Sequence, residues 1–323
     1  MLLIITNQHD LASDYLILRL CERGIDFRRF NTEELGTSVF IEISLSNEQS
    51  VFRIEFEDGV VLTRESISGV YFRQPLPPDY SGKVLDKEVQ FVNSETLELL
   101  RSLWRLIPEN LWLNHPTRLW VASNKANQLL AASKTGLRIP RTLISANRTS
   151  ITDFFLEEEN SVVGKAIRHG FITQADHMVL AGTQRLPIDF PNRLENFAPV
   201  PMTFQQEIKK AYDLRVVVVD NNVFATSIIS PDSEQHVDWR IVDLTGRRLV
   251  HSKITLPEDA VNNCTALVRE FGLRYSSIDM IQDDTGNLYF LELNPNGQWA
   301  WIEQLTHYPI RDSIIDALTR KGP

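Results

Sequence analysis

The hydrophobic and polar positions at the start of the chain predict a β-α-β unit. Residues 2–6 form a short apolar run, which is typical of a strand buried in a parallel sheet. Apolar residues at helical spacing predict a helix over 11–23, Gly24 ends it, and residues 25–30 predict a second strand. The unit lacks the GxGxxG sequence of dinucleotide-binding folds, which argues against such a site here.

Strands and helices alternate through the rest of the chain, so the fold class is predicted to be α/β, with α+β mixed regions. Alternating apolar and polar residues over 39–63 indicate antiparallel strands. Helices are predicted over residues 87–106, 117–135 and 260–271. Further strands are predicted over residues 70–72, 111–114, 162–167, 178–180, 204–208, 214–219 and 223–229, with 178–180 paired to 162–167 and a loop over 186–201.

The composition narrows the classes of function. The 323 residues include 42 acidic and 33 basic side chains, a formal net charge of −9, which argues against a protein that coats nucleic acid or an anionic membrane. No run approaches the roughly 18 apolar residues of a membrane span. The two cysteines, Cys21 and Cys264, are far apart in predicted helices, so a disulfide framework is excluded and a reducing cytoplasm fits best.

Residues 276–297 predict a β-hairpin that carries two carboxylates. Two apolar runs flank the turn sequence Asp283-Asp284-Thr285-Gly286-Asn287. If the strands pair symmetrically, Asp279 lies opposite Glu292, and Asn294 shares the face of Glu292 because side chains alternate along a strand. The opposite, apolar face is then filled by Ile278, Met280, Leu291 and Leu293.

The polar face of this hairpin has the composition of a magnesium site. Two carboxylates that lie close together repel unless a cation or proton stands between them. Hard oxygen ligands suit Mg²⁺, which keeps some waters and commonly bridges to substrate phosphates. A solvated hairpin face with ordinary surface acids is the alternative. The turn Asn294-Pro295-Asn296-Gly297 favours the metal site, because it fixes the chain where the rim of an active site would lie.

Three basic residues are candidates for binding an anion. Lys165 is almost alone in an apolar predicted strand, where a lysine is costly unless it meets an anion; a surface lysine is the alternative. Arg215 opens another apolar run two residues after Asp213, and a salt bridge between these two is the alternative. Arg240 follows Trp239 in a polar loop, where it could clamp a phosphate or carboxylate or simply lie on the surface.

Taken in order, ten residues resemble the ATP-grasp superfamily: Lys125, Lys165, Gln206, Glu207, Ile208, Asp213, Arg215, Asp279, Glu292 and Asn294. The series from Asp279 to Glu292-Leu293-Asn294-Pro295-Asn296-Gly297 is the most specific element. Residues 206–215 are similar to the hinge of the RimK-like branch, which ligates amino acids to carboxylates. Segments 114–116, 124–125, 136–142 and 298–303 resemble the peptide-maturation ligases of the microviridin type, the graspetide synthetases.

The resemblance implies an ATP-grasp fold in three parts. An N-terminal pre-ATP-grasp α/β domain would cover residues 1–115, a central ATP-grasp subdomain 116–202, and a C-terminal ATP-grasp subdomain with the metal-binding hairpin 203–323. The loop 168–177 would close over the phosphates, although it has only Gly170 where many relatives are rich in glycine.

The resemblance also implies a role for each site residue. Lys125 and Lys165 would contact the phosphates of ATP, with Lys165 also near the adenine. Gln206, Glu207 and Ile208 would line the adenine pocket, and Asp213 would contact the ribose. Two Mg²⁺ ions would be held by Asp279, Glu292 and Asn294. Arg215 and Arg240 would face the transferred phosphoryl group or the substrate carboxylate.

The implied function is an ATP-dependent ligase that activates Asp or Glu side chains of a ribosomal precursor peptide as acyl phosphates. A Thr or Ser hydroxyl would then give an ω-ester ring, or a Lys amine an ω-amide ring. The partner would be a precursor with a leader and a core rich in Thr or Ser and in Asp or Glu, docked on the central domain, and the ligase would be a homodimer.

Two other functions stay open on the sequence: a RimK-like ligase that adds amino acids to a protein or small acid, and a nucleotide-binding scaffold without catalysis. The intact set of Asp279, Glu292 and Asn294 argues against the scaffold. The sequence does not decide between ester and amide products.

Overall fold

A computed structural model describes residues 1–80, 82–168, 171–174, 177–180, 182–196, 200–230, 237, 239 and 249–320, without the side chains of 171–174, 177–180 and 196. The mixed α/β class predicted from the sequence is confirmed. Among the described residues, no helix combines the length and the apolar character needed to cross a membrane.

The N-terminal part is a four-stranded parallel sheet, as the β-α-β start predicts. Its strands, in the spatial order β2-β1-β6-β7, are Phe27–Asn31, Leu2–Thr6, Gly69–Phe72 and Trp112–Leu113. Two helices accompany it, α1 (Leu11–Glu22) and α2 (Asp86–Leu106). Strand β1 is buried along its whole length because alternate residues enter two different cores, which explains its continuous apolar run.

A three-stranded antiparallel sheet covers the alternating segment: β3 (Val39–Leu45), β4 (Ser50–Phe56) and β5 (Val61–Leu62). On β4, Phe52, Ile54 and Phe56 are buried, whereas the residues between them are exposed. This period of two is the pattern from which the strands were predicted.

The central part is a four-stranded antiparallel sheet with its own small core. In the order β12-β9-β13-β8, its strands are Gln184–Arg185, Val162–Lys165, Met202–Gln206 and Thr142–Ser145. Helix α5 (Arg148–Glu157) packs Ile151, Phe154 and Phe155 against it. The short helix α6 (Phe190–Arg193) lies within the segment predicted as a loop.

One predicted strand pairing in this part is wrong. Residues 178–180 belong to β11 (His177–Leu180), which pairs with β10 (Phe171–Gln174) in a separate hairpin and not with β9. A run of four residues has too few side chains to specify its partner, and the adjacent strand along the chain is the nearer one.

The C-terminal part is a five-stranded antiparallel sheet between two layers of helices. In the order β16-β15-β14-β17-β18, its strands are Val250–Ile254, Asn222–Ile229, Lys210–Val219, Tyr275–Asp283 and Leu288–Asn294. Helices α4 (Lys125–Lys134) and α7 (Glu258–Glu270) pack on one face, and α8 (Ala300–Thr306) and α9 (Ile310–Thr319) on the other. Helix α9 also packs against β6 and β7 of the parallel sheet, so the N-terminal and C-terminal parts share one core.

Candidate active site

The β17–β18 hairpin brings the two predicted carboxylates together. Asp279 lies opposite Glu292, and Ser277 lies opposite Asn294, so the predicted register is confirmed at these positions. The amide Nδ2 of Asn294 lies 3.0 Å from Asp279 Oδ2 and 3.5 Å from Glu292 Oε1. The three side chains therefore converge on one face of the hairpin.

The opposite face of the hairpin differs from its prediction at one residue. The register shifts between Asp279 and Met280, so Met280 pairs with Phe290 and Leu291 is the extra residue of a β-bulge. Phe290 is therefore buried in the core, and Leu291, which was predicted there, is only half-buried. The backbone N–H of Phe290 donates to the carbonyl of Arg138, a contact from outside the hairpin.

Each carboxylate is paired with a cation from a different element. Arg215 on β14 places Nη1 2.6 Å from Asp279 Oδ1, and the Arg215 side chain is only 8% exposed. Lys125 places Nζ 3.2 Å from Glu292 Oε2. The alternative was a salt bridge between Arg215 and Asp213. Instead, Arg215 pairs with Asp279, and Asp213 pairs with Lys210, whose Nζ lies 2.6 Å away.

Lys125 reaches the hairpin because the helix predicted over 117–135 is in fact two helices. The first, α3 (Pro116–Ala122), ends before Asn124, whose side chain accepts from the N–H of Asn127 and caps α4. Lys125 is therefore the first residue of α4. The sequence contains the signal for this break, an Asn directly before a helical run.

A buried glutamine that the sequence analysis missed fixes α4 on the hairpin. Gln128 Nε2 donates to the carbonyl oxygens of Ala122 and Leu293, each at 2.7 Å, and its Oε1 accepts from the N–H of Leu293 at 2.9 Å. Leu293 lies between Glu292 and Asn294 along β18. Gln128 therefore holds Lys125 and the two polar hairpin residues in one arrangement.

Arg73 is the second residue that the sequence analysis missed. It follows β6 directly, and its side chain is 1% exposed. Nη1 donates to the carbonyl oxygens of Asn296 (2.9 Å) and Gly297 (2.8 Å), and Nη2 to Gln298 Oε1 (2.9 Å). The N-terminal sheet thus holds the turn after β18. An arginine directly after an apolar strand was the signal available in the sequence.

Gly297 is required in this turn because the backbone passes very close to β17. A Cβ at position 297 would lie 2.6 Å from Ser277 Cβ and 2.9 Å from Arg215 Nη2. The phenol of Tyr275 donates to the Gly297 carbonyl at 2.5 Å, and burial raises the pKa of this phenol, which keeps it protonated as a donor. Any larger residue at position 297 would displace Arg215.

Four of the residues predicted to bind the nucleotide lie on or directly after β9 and β13, whereas Lys125 lies on α4 and Asp213 on β14. Lys165 ends β9, and its Nζ lies 2.8 Å from Gln205 Oε1. Gln206 ends β13 and its N–H donates to the carbonyl of Arg141. Glu207 forms an ion pair with Arg185, and Ile208 follows the strand, which ends two residues earlier than predicted.

Part of the prediction lies outside the described residues. Arg240 lies outside them, and so do residues 169–170 and 175–176 of the loop 168–177. Of the predicted site residues that are described, Lys125, Arg215, Asp279, Glu292 and Asn294 form one connected cluster.

Residues 122–318 match the RimK-like ATP-grasp domain, which is well over half of the chain. The chain belongs to the RimK-like ATP-grasp family. No curated protein matches the sequence.

Solved structures of ATP-grasp ligases match the chain over nearly its whole length. A RiPP-associated ATP-grasp ligase from Chryseobacterium gregarium, in complex with ADP and a leader and core peptide, is 25% identical with a TM-score of 0.88, and the match covers 100% of this chain and 97% of that one. The macrocyclase MdnC from Microcystis aeruginosa MRC, bound with precursor peptide MdnA, is 26% identical with a TM-score of 0.82 over 99% of both chains. The macrocyclase MdnB from the same organism is 25% identical with a TM-score of 0.79, also over 99% of both chains.

The ATP-grasp site has a donor set that fits Mg²⁺. The carboxylates of Asp279 and Glu292 are hard oxygen donors, and a half-turn of the Asn294 amide presents its oxygen to the same space. In the part of the chain that the structure describes, no three His, Cys, Asp or Glu side chains are placed so that they could hold a metal ion together, so the ligand count here depends on the asparagine. Such a site is typical of Mg²⁺ shared with the phosphates of ATP, the cofactor and metal that ATP-grasp enzymes use.

Proposed function

We propose that this chain is an ATP-dependent ligase that closes rings in a ribosomal precursor peptide. It would activate Asp or Glu side chains as acyl phosphates and join them to a Thr or Ser hydroxyl or to a Lys amine. The observation that carries the proposal is the cluster of Asp279, Glu292 and Asn294 on one hairpin face, with Lys125 and Arg215 against the two carboxylates. This is the charge arrangement that phosphoryl transfer requires.

The peptide substrate is supported by two of the similar structures. One contains a leader and core peptide with ADP, and the other contains the precursor peptide MdnA. Both match this chain over nearly its whole length, which supports a peptide substrate for it as well. We expect a precursor with a leader and a core rich in Thr or Ser and in Asp or Glu.

The proposed chemistry has two steps. First, a side-chain carboxylate oxygen of the peptide attacks the γ-phosphorus of ATP, and ADP leaves, which gives an acyl phosphate. Second, a hydroxyl or amine attacks the acyl carbon and phosphate leaves, so the peptide loses one water for each bond formed. Bound Mg²⁺ would neutralise the phosphate oxygens.

Most of the work of this chain's residues is electrostatic positioning. Asp279, Glu292 and Asn294 would hold two Mg²⁺ ions, and Arg215 would orient the phosphoryl group or the carboxylate. The nucleotide would be contacted by Lys125, Lys165, Gln206, Glu207, Ile208 and Asp213, with Arg240 as a further contact to the reacting groups.

We also propose three domains, over residues 1–115, 116–202 and 203–323, and a homodimer that acts in the cytoplasm. The cytoplasm is supported by the two cysteines, which are both free, as is usual in a reducing compartment. Support for the first boundary comes from β7, the last strand of the parallel sheet, which ends at Leu113.

An intact-mass assay tests this function. The purified protein is incubated with Mg²⁺-ATP and the Thr-, Asp- and Glu-rich peptide encoded beside its gene. An ATP-dependent loss of one water for each bond supports ring closure, and mild alkaline hydrolysis separates esters from amides. A mass gain when free amino acids are added would replace the proposal with a RimK-like amino-acid ligase, and an unchanged peptide mass would contradict it.

A further inference from the structure

A groove runs between helix α3 and the turn that follows β18. It has a volume of about 390 Å³ and is lined by Leu119, Trp120 and Ser123 on one wall and by the turn Asn294-Pro295-Asn296-Gly297 on the other. Asn294 belongs both to the groove and to the carboxylate cluster, 3.0 Å from Asp279 Oδ2. The groove therefore opens directly onto the site of phosphoryl transfer.

Trp120 is the most notable residue of this groove because it is 77% exposed. Helix α3 is held by other contacts: Ala122 is fully buried, and the His115 side chain accepts from the N–H of Thr117 at the start of the helix. Trp120 is therefore not needed to pack α3. A large aromatic side chain left open beside a reaction site is typical of a surface that binds a ligand.

The lining of the groove indicates what it would bind. Leu119, Trp120 and Pro295 are apolar, Ser123 and the two asparagines are polar, and none of the lining side chains is charged. The net charge of the whole chain is −9. An uncharged groove next to two carboxylates suits a neutral stretch of polypeptide, one of whose side chains can stack on the indole of Trp120.

We propose that this groove binds the uncharged segment of the peptide substrate next to its reacting side chain, with Trp120 as the aromatic contact. The proposal rests on the proposed function, because it needs a peptide whose carboxylate enters the site. Its occupant is the part of the core that flanks this carboxylate. Trp120 would then determine which core sequences are accepted, whereas Arg215 and the metal ligands act on any carboxylate.

The test compares Trp120→Ala with Val121→Ala, a matched control on the same helix. Val121 is also exposed but does not line the groove. We expect Trp120→Ala to lower kcat/KM for water loss from the neighbouring-gene peptide by about tenfold. The dissociation constant for Mg²⁺-ADP and the melting temperature should stay unchanged. Val121→Ala should behave as wild type.

Tryptophan fluorescence gives a second readout that a merely structural role would not move. Addition of the peptide should change the emission of the wild-type protein, and Trp120→Phe should reduce this change. Trp120 is 77% exposed, whereas Trp104, Trp112 and Trp299 are buried and the half-buried Trp239 and Trp301 pack against each other. An unchanged kcat/KM in Trp120→Ala, with a fully active wild type, would overturn the proposal that this groove binds the peptide. It would leave the proposed function unaffected. A wild type that neither binds nor modifies the peptide would contradict both.

Discussion

The two sides of the active site are held in different ways. The acidic hairpin is fixed by buried hydrogen bonds from three distant segments, through Arg73, Asn114 and Gln128. The side that we propose binds the nucleotide lies on a small sheet with a small core of its own, and some of its polar contacts lie near the surface. Arg185, for example, is 53% exposed where it pairs with Glu207.

This difference indicates that the two sides have different roles in the reaction. Charges that stabilise phosphoryl transfer must be fixed before the reaction, which requires buried donors that cannot reorient. Loss of one such donor leaves other buried groups without partners, so its effect should extend over the whole hairpin. Residues that only bind the nucleotide can act singly, and substitutions there should have smaller and local effects. Three substitutions test this comparison.

The largest effect is expected for Glu292→Gln. The substitution keeps the shape of the side chain but removes one of two carboxylate donors, so turnover should fall by at least about 100-fold. The fold should be retained because glutamine has nearly the shape of glutamate and the apolar core of the hairpin is unchanged. ADP release with peptide and Mg²⁺ measures the effect. Glu270→Gln, at an exposed position on α7, is the control. Near-normal turnover in Glu292→Gln would contradict the assignment of Glu292 as a Mg²⁺ ligand.

An intermediate effect is expected for Arg73→Met, which removes the bonds to the turn after β18. Four acceptor atoms on Asn296, Gly297 and Gln298 lose a donor that is almost fully buried, so the free energy of unfolding should fall by about 3 kcal/mol. Turnover should fall by about tenfold, and the Mg²⁺ concentration for half-maximal activity should rise.

Arg73→Lys and Arg101→Met are the matched variants for this prediction. The lysine keeps the charge but not the forked geometry, so it should recover only part of the stability. Arg101 is 60% exposed on α2, and its substitution should change little. Thermal unfolding and Mg²⁺ titration give both quantities. If Arg73→Met has the same thermal stability and the same Mg²⁺ dependence as Arg101→Met, the N-terminal sheet does not position the metal site.

The same comparison explains how much could be predicted from the sequence. The register of Asp279 and Glu292 was predictable because it is local: two apolar runs flank a turn, and side chains alternate. The prediction was wrong at Leu291 because the bulge involves a contact from outside the hairpin, the bond from Phe290 N–H to the Arg138 carbonyl. The fold family was predictable for the same local reason, since its most specific motif is one continuous hairpin.

The residues that the sequence analysis missed have partners far away in the chain. Arg73 contacts the turn that ends at Gln298, and Gln128 contacts Leu293. No spacing rule within one element links such positions, so only the folded structure brings them together. The wrong partner for residues 178–180 has a similar cause, because the strand pattern predicts an element but not its neighbour.

The smallest effect is expected on the nucleotide side, for Lys165→Ala. Lys165 is half-buried, and its ammonium lies 2.8 Å from Gln205 Oε1 at the end of β9. Removal of one phosphate-binding charge should raise the dissociation constant for a non-hydrolysable Mg²⁺-ATP analogue by about tenfold, with little loss of stability. Calorimetry at two salt concentrations measures this, because the contribution of the charge should shrink at high salt. Lys209→Ala, a 72% exposed lysine paired with Asp284, should bind the analogue as wild type does. Unchanged affinity in Lys165→Ala would mean that this lysine orients Gln205 and does not bind the nucleotide. The comparison between the two sides would then have to be tested at a different residue on the nucleotide side.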